Sequence, residues 1–262
     1  MTRSDPGPDE AFQVAVPVAD IEERPGGSRT RQLLFGEPVL PFDETPDHYL
    51  IRARRDGYTG YLRKDALCPL RAATHRVTAL ATHLYARPDL KSRDAATLSF
   101  GALLTVTEPA GDFLRTAEGQ FVPAIHLAPA HLRFSDPAAV AELFLGTPYL
   151  WGGNSRLGID CSGLVQTACI ACGVSCPGDS GDQARELGHP LPGHADPKRG
   201  DLIFWRGHVG MMVSARRMIH ANGFHMAVAF EDLEEAQARI AEQGGGEITA
   251  RRRLTLGRGA AA

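Results

Sequence analysis

Short runs of β-branched and aromatic residues, separated by turn residues, fill the chain from Phe12 to Cys68. None of these runs has helical periodicity, and closely spaced short strands of this kind are typical of a small β-barrel. The runs occupy 13–18, 33–35, 39–40, 49–52 and 58–62.

A weaker copy of this pattern follows between His75 and His131. Matching residues recur 60 to 65 positions later, which indicates a duplicated module with a different loop length. The pairs are Phe35-Gly36 with Phe100-Gly101, Tyr61-Leu62 with Phe121-Val122, and Leu67 with Leu127. The pattern therefore predicts two small all-β units in succession.

Helical spacing of apolar residues begins only after the second of these units. An N-cap and a first-turn proline in 135–137 predict a helix over 138–145 that ends at Gly146. Apolar spacing predicts a second helix over 162–172, with Gly173 as the left-handed residue that ends it. Further helices are predicted over 184–187 and 231–243.

Strand-like runs in the last third of the chain predict an antiparallel sheet, and a helix packed on such a sheet is an α+β arrangement. The runs are 202–205, 208–213 and 218–221, with 227–230 and 248–250 as candidate additional strands. We divide the chain into a tail with a first all-β unit (1–72), a second all-β unit (73–133) and an α+β domain (134–262).

The composition of the chain limits which partners it can bind and indicates the cellular compartment in which it works. A net charge of −3 and a pI near 6.4 argue against nucleic acid held by bulk charge. The N-terminal residues lack the basic start and apolar core of a signal peptide, and no apolar run approaches the ~20 residues that cross a bilayer. Five cysteines, an odd number, fit a reducing compartment. We therefore expect a cytoplasmic protein with no membrane or nucleic-acid partner.

Three cysteines allow an alternative interpretation. Cys169, Cys172 and Cys176 form a C-x2-C-x3-C run that is compatible with a metal or iron–sulfur site. The first two fall inside the predicted helix and no second ligand cluster lies nearby, so burial as small apolar residues is favoured. We expect no metal and no organic cofactor.

Cys161 is the candidate nucleophile because it lies at the start of the predicted helix over 162–172. Unpaired N–H groups and the positive end of the helix dipole favour a thiolate there, so we expect a depressed pKa for this thiol. The same N–H groups can bind the oxyanion that forms when a thiolate attacks an amide.

Two histidines are candidates for the base and for the group that orients it. His208 and His220 each lie in a strand-like run, and only the short link 214–216 separates the runs, which predicts a hairpin. A turn centred on residue 214 makes the two histidines direct cross-strand partners, with Cβ atoms roughly 4.5–5.5 Å apart. His208 then takes the thiol proton and returns it to the leaving amine, while His220 holds the ring of His208.

Together these motifs resemble the NlpC-type cysteine peptidases, a papain-like family of bacterial cell-wall peptide hydrolases. The resemblance covers about half of the chain, and several short motifs occur in the expected order. They are Pro148-Tyr149, Trp151-Gly152-Gly153, Asp160-Cys161-Ser162-Gly163, Asp179-Ser180 with Gln183, Gly200-Asp201-Leu202, His208-Val209-Gly210 and Ile219-His220-Ala221. The two all-β units resemble the bacterial SH3-like domains that often precede such peptidase domains.

The resemblance implies roles for individual residues. Cys161, His208 and His220 match the catalytic triad, and the Tyr149 hydroxyl matches the group that helps to stabilise the oxyanion. Members that cleave free peptides hold the substrate with residues that correspond to Asp160, Ser162 and Ser180. For Asp160 the alternative is that it only orients the backbone near the cysteine.

In related enzymes of this domain order, the first SH3-like module closes one end of the groove and recognises a free amino terminus. Those enzymes cut the γ-D-glutamyl bond to a diamino acid in peptides that begin with L-Ala and are released from peptidoglycan. In this sequence Glu37, Tyr58 and Tyr61 are the candidates for that wall. Glu37 is equally compatible with a solvated turn residue.

Three hypotheses follow. The first is a monomeric cytoplasmic endopeptidase that acts on murein-derived peptides of the L-Ala-γ-D-Glu-diaminopimelate type during recycling. The second keeps the fold but assigns amidase or transpeptidase chemistry on intact wall, because a Cys–His site fixes the acyl-enzyme and not its acceptor. The third is a non-catalytic peptide-binding protein in which the SH3-like modules carry the function. The set of site residues disfavours the third, and the absence of an export signal disfavours the second.

Overall fold

A computed structural model describes residues 11–193 and 195–256 of the chain. The described residues form two compact units, with the boundary between Leu132 and Arg133. In this part of the chain no helix is long and apolar enough to cross a membrane.

The first unit begins with a seven-stranded antiparallel sheet in the order β3-β2-β6-β5-β4-β1-β7. Its alternating strands bury a cluster that includes Val14, Ile21, Leu33, Ile51 and Leu62. The strands are β1 (Phe12–Val14), β2 (Val18–Glu22), β3 (Arg29–Leu34), β4 (Pro38–Glu44), β5 (His48–Ala53), β6 (Thr59–Arg63) and β7 (Leu67–Pro69).

The second half of this unit repeats the arrangement with two smaller sheets, ordered β10-β9-β14-β13-β12 and β11-β8-β15. In both halves a short 3-10 helix, Lys64–Ala66 or Ala124–His126, leads into the final strand. The strands are β8 (His75–Val77), β9 (Ala81–Tyr85), β10 (Asp94–Ser99), β11 (Leu103–Leu104), β12 (Val106–Ala110), β13 (Phe113–Thr116), β14 (Phe121–Pro123) and β15 (Leu127–Pro129).

Gly36 lies where the two halves of the first unit approach each other. Its φ is +77°, and a Cβ at this position would lie 2.1 Å from the Leu103 carbonyl oxygen. The Leu103 N–H donates to the Phe35 carbonyl at 2.8 Å, and Leu34 and Phe35 belong to the hydrophobic cluster of the second half. The Phe-Gly pair therefore lets backbone pack against backbone.

The second unit combines four helices with an antiparallel six-stranded sheet in the order β18-β23-β19-β20-β21-β22. The helices are α1 (Pro137–Glu142), α2 (Cys161–Ala171), α3 (Ser180–Glu186) and α4 (Leu233–Glu242). The strands of this sheet are β18 (His189–Pro190), β19 (Leu202–Trp205), β20 (His208–Met212), β21 (Arg217–Asn222), β22 (Ala227–Asp232) and β23 (Ala250–Arg253), and β16 (Asn154–Ser155) pairs with β17 (Gly158–Ile159) in a separate two-stranded sheet. Both α1 and α2 pack against β20 and β21, and α4 packs against β22.

The hairpin between β20 and β21 has a different register from the one predicted. Met211 pairs with Ile219 and Met212 with Met218, so the turn is centred on residue 215 and not on 214. The Ser214 hydroxyl accepts hydrogen bonds from the Arg216 and Arg217 N–H groups, which folds the loop around residue 215. The prediction that His208 and His220 are directly opposed is therefore wrong, although a shift of two residues leaves both on the same face.

The last helix also begins later than predicted. The sequence pattern assigned Glu231 to the charged helix, whereas β22 continues through Asp232 and α4 starts at Leu233. The Asp232 side chain accepts a hydrogen bond from the Glu234 N–H and caps the helix. This correction places Glu231 in a strand beside β21.

Candidate active site

Cys161 is the first residue of α2, and its position is set by the carboxylate of the N-cap residue Asp160. One Asp160 oxygen accepts from the Gly163 N–H at 2.6 Å and from the Ser162 hydroxyl at 3.1 Å. The other oxygen accepts from the Gly152 N–H at 3.0 Å. Asp160 therefore ties the preceding turn to the helix that carries the cysteine, which is a sufficient structural reason for a buried carboxylate here.

Glycine at position 163 allows this helix start to lie against the turn before it. A Cβ there would be 2.6 Å from the Gly153 carbonyl oxygen. Because a backbone oxygen cannot move aside, a larger residue would push the first turn of α2, and Cys161 with it, away from the turn. The spacing of the Trp-Gly-Gly and Asp-Cys-Ser-Gly motifs thus has a packing basis.

Tyr149 is electrostatically linked to Cys161. Burial, and then the negative charges of Cys161 and Asp160, raise the pKa of the Tyr149 phenol to about 12. The Tyr149 N–H donates to the Met226 carbonyl at 2.9 Å, so the segment runs beside the start of β22. A phenol that stays protonated at neutral pH can donate a hydrogen bond to a developing oxyanion.

His208 and His220 form a direct hydrogen bond, 2.9 Å between His208 Nε2 and His220 Nδ1. The two residues are diagonal neighbours on one face of the sheet, and Gly210 lies between them opposite His220. A Cβ at Gly210 would be 2.7 Å from Met218 Cε and 3.5 Å from His220 Cβ. The missing side chain therefore leaves the space across which the two rings meet.

The chain of contacts continues to Glu231 and Arg239, which sequence reasoning did not identify. His220 Nε2 lies 2.9 Å from Glu231 Oε2, and the Arg239 guanidinium donates to both Glu231 oxygens at 2.8 and 2.7 Å. The His220 side chain is fully buried and that of Glu231 is 10% exposed. The available signal was the N-cap Asp232, which would have started the helix at Leu233 and left Glu231 in the strand beside His220.

These contacts fix the direction of the hydrogen bonds. An ionised carboxylate only accepts, so His220 Nε2 carries the proton and donates it to Glu231. His220 Nδ1 is then the acceptor for the His208 Nε2–H, which leaves the Nδ1 lone pair of His208 free to accept a proton. Glu231 thus acts as a positioning residue through His220.

The hydrogen-bonded series His208–His220–Glu231 is uncharged at its two histidines and charged only where Glu231 binds Arg239. Burial, followed by the positive potential of His220 and Arg239, lowers the pKa of His208 to about 3, and burial also lowers the pKa of His220. Hydrogen bonds from Arg239 and His220 outweigh burial at Glu231 and lower its pKa to about 2. At neutral pH His208 is an unprotonated imidazole, as a general base must be.

Within the described residues, one group has ligand atoms close enough to share a metal ion. His220, His225 and Glu231 place these atoms within 4.8 Å of one another. However, both Glu231 oxygens bind Arg239, His220 Nε2 faces Glu231, and His225 Nδ1 lies 3.1 Å from Asn222 Oδ1. The ligand atoms of His220 and Glu231 are therefore already engaged in hydrogen bonds.

Ser180 begins α3, which packs against α2 through a buried glutamine. Gln183 Nε2 donates to the Ser162 carbonyl and to the Pro177 carbonyl, each at 2.9 Å. This glutamine of the Asp-Ser motif therefore holds the helix of Ser180 against the first turn of α2. The substrate-binding roles of Ser162 and Ser180 remain predictions.

The three candidate residues of the first unit have structural contacts of their own. Both Glu37 oxygens accept from Arg55 at 2.9 Å, and Glu37 Oε2 also accepts from the Leu34 N–H at 2.8 Å. The Arg31 guanidinium lies 5.4 Å from the centre of the Tyr58 ring, and Tyr61 is a half-buried residue of β6. Glu37 is thus not the solvated turn residue of the alternative interpretation, and its role towards a substrate stays a prediction.

Comparison with known protein families gives two matches. Residues 146–240 match the model of the NlpC/P60 family, and residues 22–67 match that of the bacterial dipeptidyl-peptidase SH3 domain. These matches confirm the predicted resemblance and the predicted fold class, a papain-like peptidase domain preceded by SH3-like β structure.

Individual relatives agree with the family matches. The chain is 32% identical over 223 residues to gamma-D-glutamyl-L-lysine dipeptidyl-peptidase of Bacillus subtilis, which covers 72% of this chain and 71% of that protein. It is 27% identical over 231 residues to dipeptidyl-peptidase 6 of Lysinibacillus sphaericus, or 78% of this chain and 84% of that one. The crystal structure of an NlpC/P60 family protein from Bacillus cereus superposes with a TM-score of 0.77 at 21% identity, and covers 93% of this chain and 99% of that chain.

Proposed function

Because the chain belongs to the NlpC/P60 family of cysteine peptidases, we propose that it hydrolyses the γ-D-glutamyl bond to a diamino acid such as diaminopimelate. The substrates are peptides derived from peptidoglycan that have a free N-terminal L-Ala, and the reaction serves recycling of wall peptides in the cytoplasm. The observation that carries the proposal is the aligned chain Glu231–His220–His208, which presents an unprotonated His208 Nδ1 in the unit that bears Cys161.

In the first half of the reaction, His208 Nδ1 takes the proton of the Cys161 thiol, and the thiolate attacks the side-chain carbonyl carbon of D-glutamate. The oxyanion receives hydrogen bonds from the Tyr149 hydroxyl and from N–H groups at the start of α2. The C–N bond then breaks as His208 returns the proton to the leaving amine, which leaves a thioester on Cys161.

In the second half, His208 takes a proton from a water molecule, whose oxygen attacks the thioester carbonyl. Collapse of this intermediate releases the carboxylate product, and the proton returns to the Cys161 sulfur. Throughout, Glu231 and Arg239 keep His220 in the tautomer that accepts from His208, so the imidazolium formed in each half is oriented and stabilised.

The substrate class is supported by the names of the relatives and by the order of modules. Two relatives that align over most of their length are named dipeptidyl-peptidases, one of them for a γ-D-glutamyl-L-lysine bond. A dipeptide of L-Ala and D-Glu before the scissile bond fits that description. The SH3-like match at residues 22–67 includes Glu37, Tyr58 and Tyr61, the candidates from the sequence for recognition of the amino terminus.

Three substrates test this proposal: L-Ala-γ-D-Glu-meso-diaminopimelate, its N-acetylated form, and whole peptidoglycan sacculi. We expect release of diaminopimelate from the first alone, because an acetylated amine has no charge to recognise. Cleavage of sacculi would instead indicate remodelling of intact wall, and binding without cleavage would indicate a non-catalytic peptide-binding protein. Cys161→Ala serves as the control and should abolish turnover while the circular dichroism spectrum is unchanged.

A further inference from the structure

A cavity of about 480 Å³ opens beside His208 within the second unit. Three segments form it: the turn from β19 to β20, the end of β21 with the residues after it, and the C-terminal half of α4 with the residues after it. None of Tyr149, Asp160, Cys161 and Ser162 lines it. The cavity therefore lies beside His208 and is separate from these four residues, which are the candidates for attack on the scissile carbonyl and for binding the part of the substrate before it.

The lining of this cavity is rich in hydrogen-bond donors and contains no acid. Its ten lining residues include Arg206 and Arg239 but no aspartate or glutamate. Arg239 is neutralised by its two bonds to Glu231, whereas the exposed Arg206 makes no ion pair with any described residue. The cavity consequently carries one uncompensated positive charge.

Two further residues of the lining have buried donors without an acceptor. Trp205 is 3% exposed and Asn222 is 5% exposed. Among the described residues, neither Trp205 Nε1 nor Asn222 Nδ2 has a hydrogen-bond partner. Buried donors are normally paired, so two such groups on one cavity indicate a ligand that supplies acceptors.

We propose that this cavity binds the residue on the leaving side of the scissile bond and selects a free carboxylate on that residue. His208 returns a proton to the leaving amine, so that nitrogen lies within hydrogen-bond reach of the ring. In an α-amino acid the carboxylate is attached to the same carbon as the amine, about 2.5 Å from it. A carboxylate also matches the donors of Arg206, Trp205 and Asn222 in charge and in acceptor capacity.

This inference rests on the proposed peptidase reaction, and a matched pair of substrates tests it. L-Ala-γ-D-Glu-L-Lys and its C-terminal carboxamide differ only in the charge of the leaving residue. We expect kcat/KM for the free acid to exceed that for the carboxamide by about tenfold, since one charge-assisted contact at a partly exposed site is involved. In Arg206→Ala this ratio should fall to near one.

Arg216→Ala is the matched control because Arg216 is an exposed arginine of the same unit that contacts Asp232 and does not line the cavity. It should keep the ratio of the unaltered protein. Equal rates on the two substrates in the unaltered protein, or an unchanged ratio in Arg206→Ala, would overturn the assignment.

A binding experiment separates this inference from the peptidase proposal. The chain has two tryptophans, so its ¹⁵N spectrum contains two indole N–H signals, and Trp151→Phe identifies that of Trp205. L-lysine should shift the Trp205 signal and L-lysinamide should not, with about tenfold weaker binding of L-lysine by Arg206→Ala. A shift without peptidase activity would refute the proposed reaction and leave the anion site standing, whereas no shift at saturating L-lysine would refute the site itself.

Discussion

Glu37 in the first unit and Glu231 in the second are buried to nearly the same degree and bind the same kind of partner. Their side chains are 13% and 10% exposed, and the paired arginines, Arg55 and Arg239, are 12% and 15% exposed. In each case one guanidinium contacts both carboxylate oxygens. The two ion pairs differ in the third contact of the carboxylate.

That third contact decides what each pair can do. Glu37 accepts from the backbone N–H of Leu34, where the chain of hydrogen bonds ends. Glu231 faces His220 Nε2, and the chain continues to His208, whose far nitrogen is left as a proton acceptor. A buried carboxylate–arginine pair is therefore no sign of catalysis by itself, because the chemistry depends on whether the next group can move a proton.

The largest effect should come from removing His208, which ends the hydrogen-bonded series that begins at Glu231. His208→Ala deletes the proposed general base, so we expect kcat to fall by more than about 10³-fold. The thermal unfolding midpoint should change little above pH 6.5, where the ring is neutral in the folded and the unfolded chain, and should fall less steeply with acid than in the unaltered protein. A variant that retained more than a tenth of the activity would show that His208 is not the base.

Glu231→Gln should give the next largest effect. A glutamine amide can donate to His220 Nε2, which reverses the hydrogen bonds and leaves His208 Nδ1 protonated. We expect kcat to fall by about 10²-fold with KM nearly unchanged, and Glu231→Asp to restore part of the activity. A purely structural role would instead lower the stability and leave kcat of the folded fraction intact.

The sequence predicted the parts of this site that depend on local rules. The N-cap Asp160 and the apolar spacing after it locate Cys161 at a helix start, and Gly173 has the expected left-handed φ of +78°. The period of two along a strand places His208 and His220 on one face even though the register was two residues off. A register error of two residues leaves both side chains on the same face of the sheet, but it changes which residues are directly opposed.

The remainder depends on packing that local pattern does not encode. Glu231 lies at the point where a strand becomes a helix, and both states suit its neighbours. Only the pairing of β21 with β22 places it near His220. Likewise, Arg55 lies 18 residues from Glu37 in the sequence, and nothing near Glu37 predicts that its carboxylate is bound.

The pH dependence offers a sharper test of the second unit. The pKa of His208, lowered from 6.5 to about 3, means that between these values the unfolded chain binds more protons than the folded one. Stability should therefore decrease as the pH falls from 6.5 towards 3 and should level off above 6.5. Glu231, lowered from 4.5 to about 2, adds a further loss between those values.

Urea unfolding of the unaltered protein and of Glu231→Gln as a function of pH measures these two contributions. The variant should keep the decrease that begins near pH 6.5 and lose the additional decrease below pH 4.5. The acid limb of kcat/KM should likewise lie well below pH 6.5. An acid limb centred at 6.5 would mean that the His208 ring is solvated in the working enzyme.

Glu37→Gln should have the smallest effect on catalysis and completes the comparison. Arg55 would keep its bond to the Gln32 carbonyl but lose a charged partner, so we expect the free energy of unfolding to fall by roughly 1–3 kcal/mol and kcat to stay unchanged. The sequence-based role in binding the substrate ammonium predicts a higher KM, whereas a carboxylate already neutralised by Arg55 predicts the same KM. We expect the same KM, since both oxygens are bound. A KM raised tenfold for the free-amine tripeptide would instead show that Glu37 recognises the amino terminus while paired with Arg55.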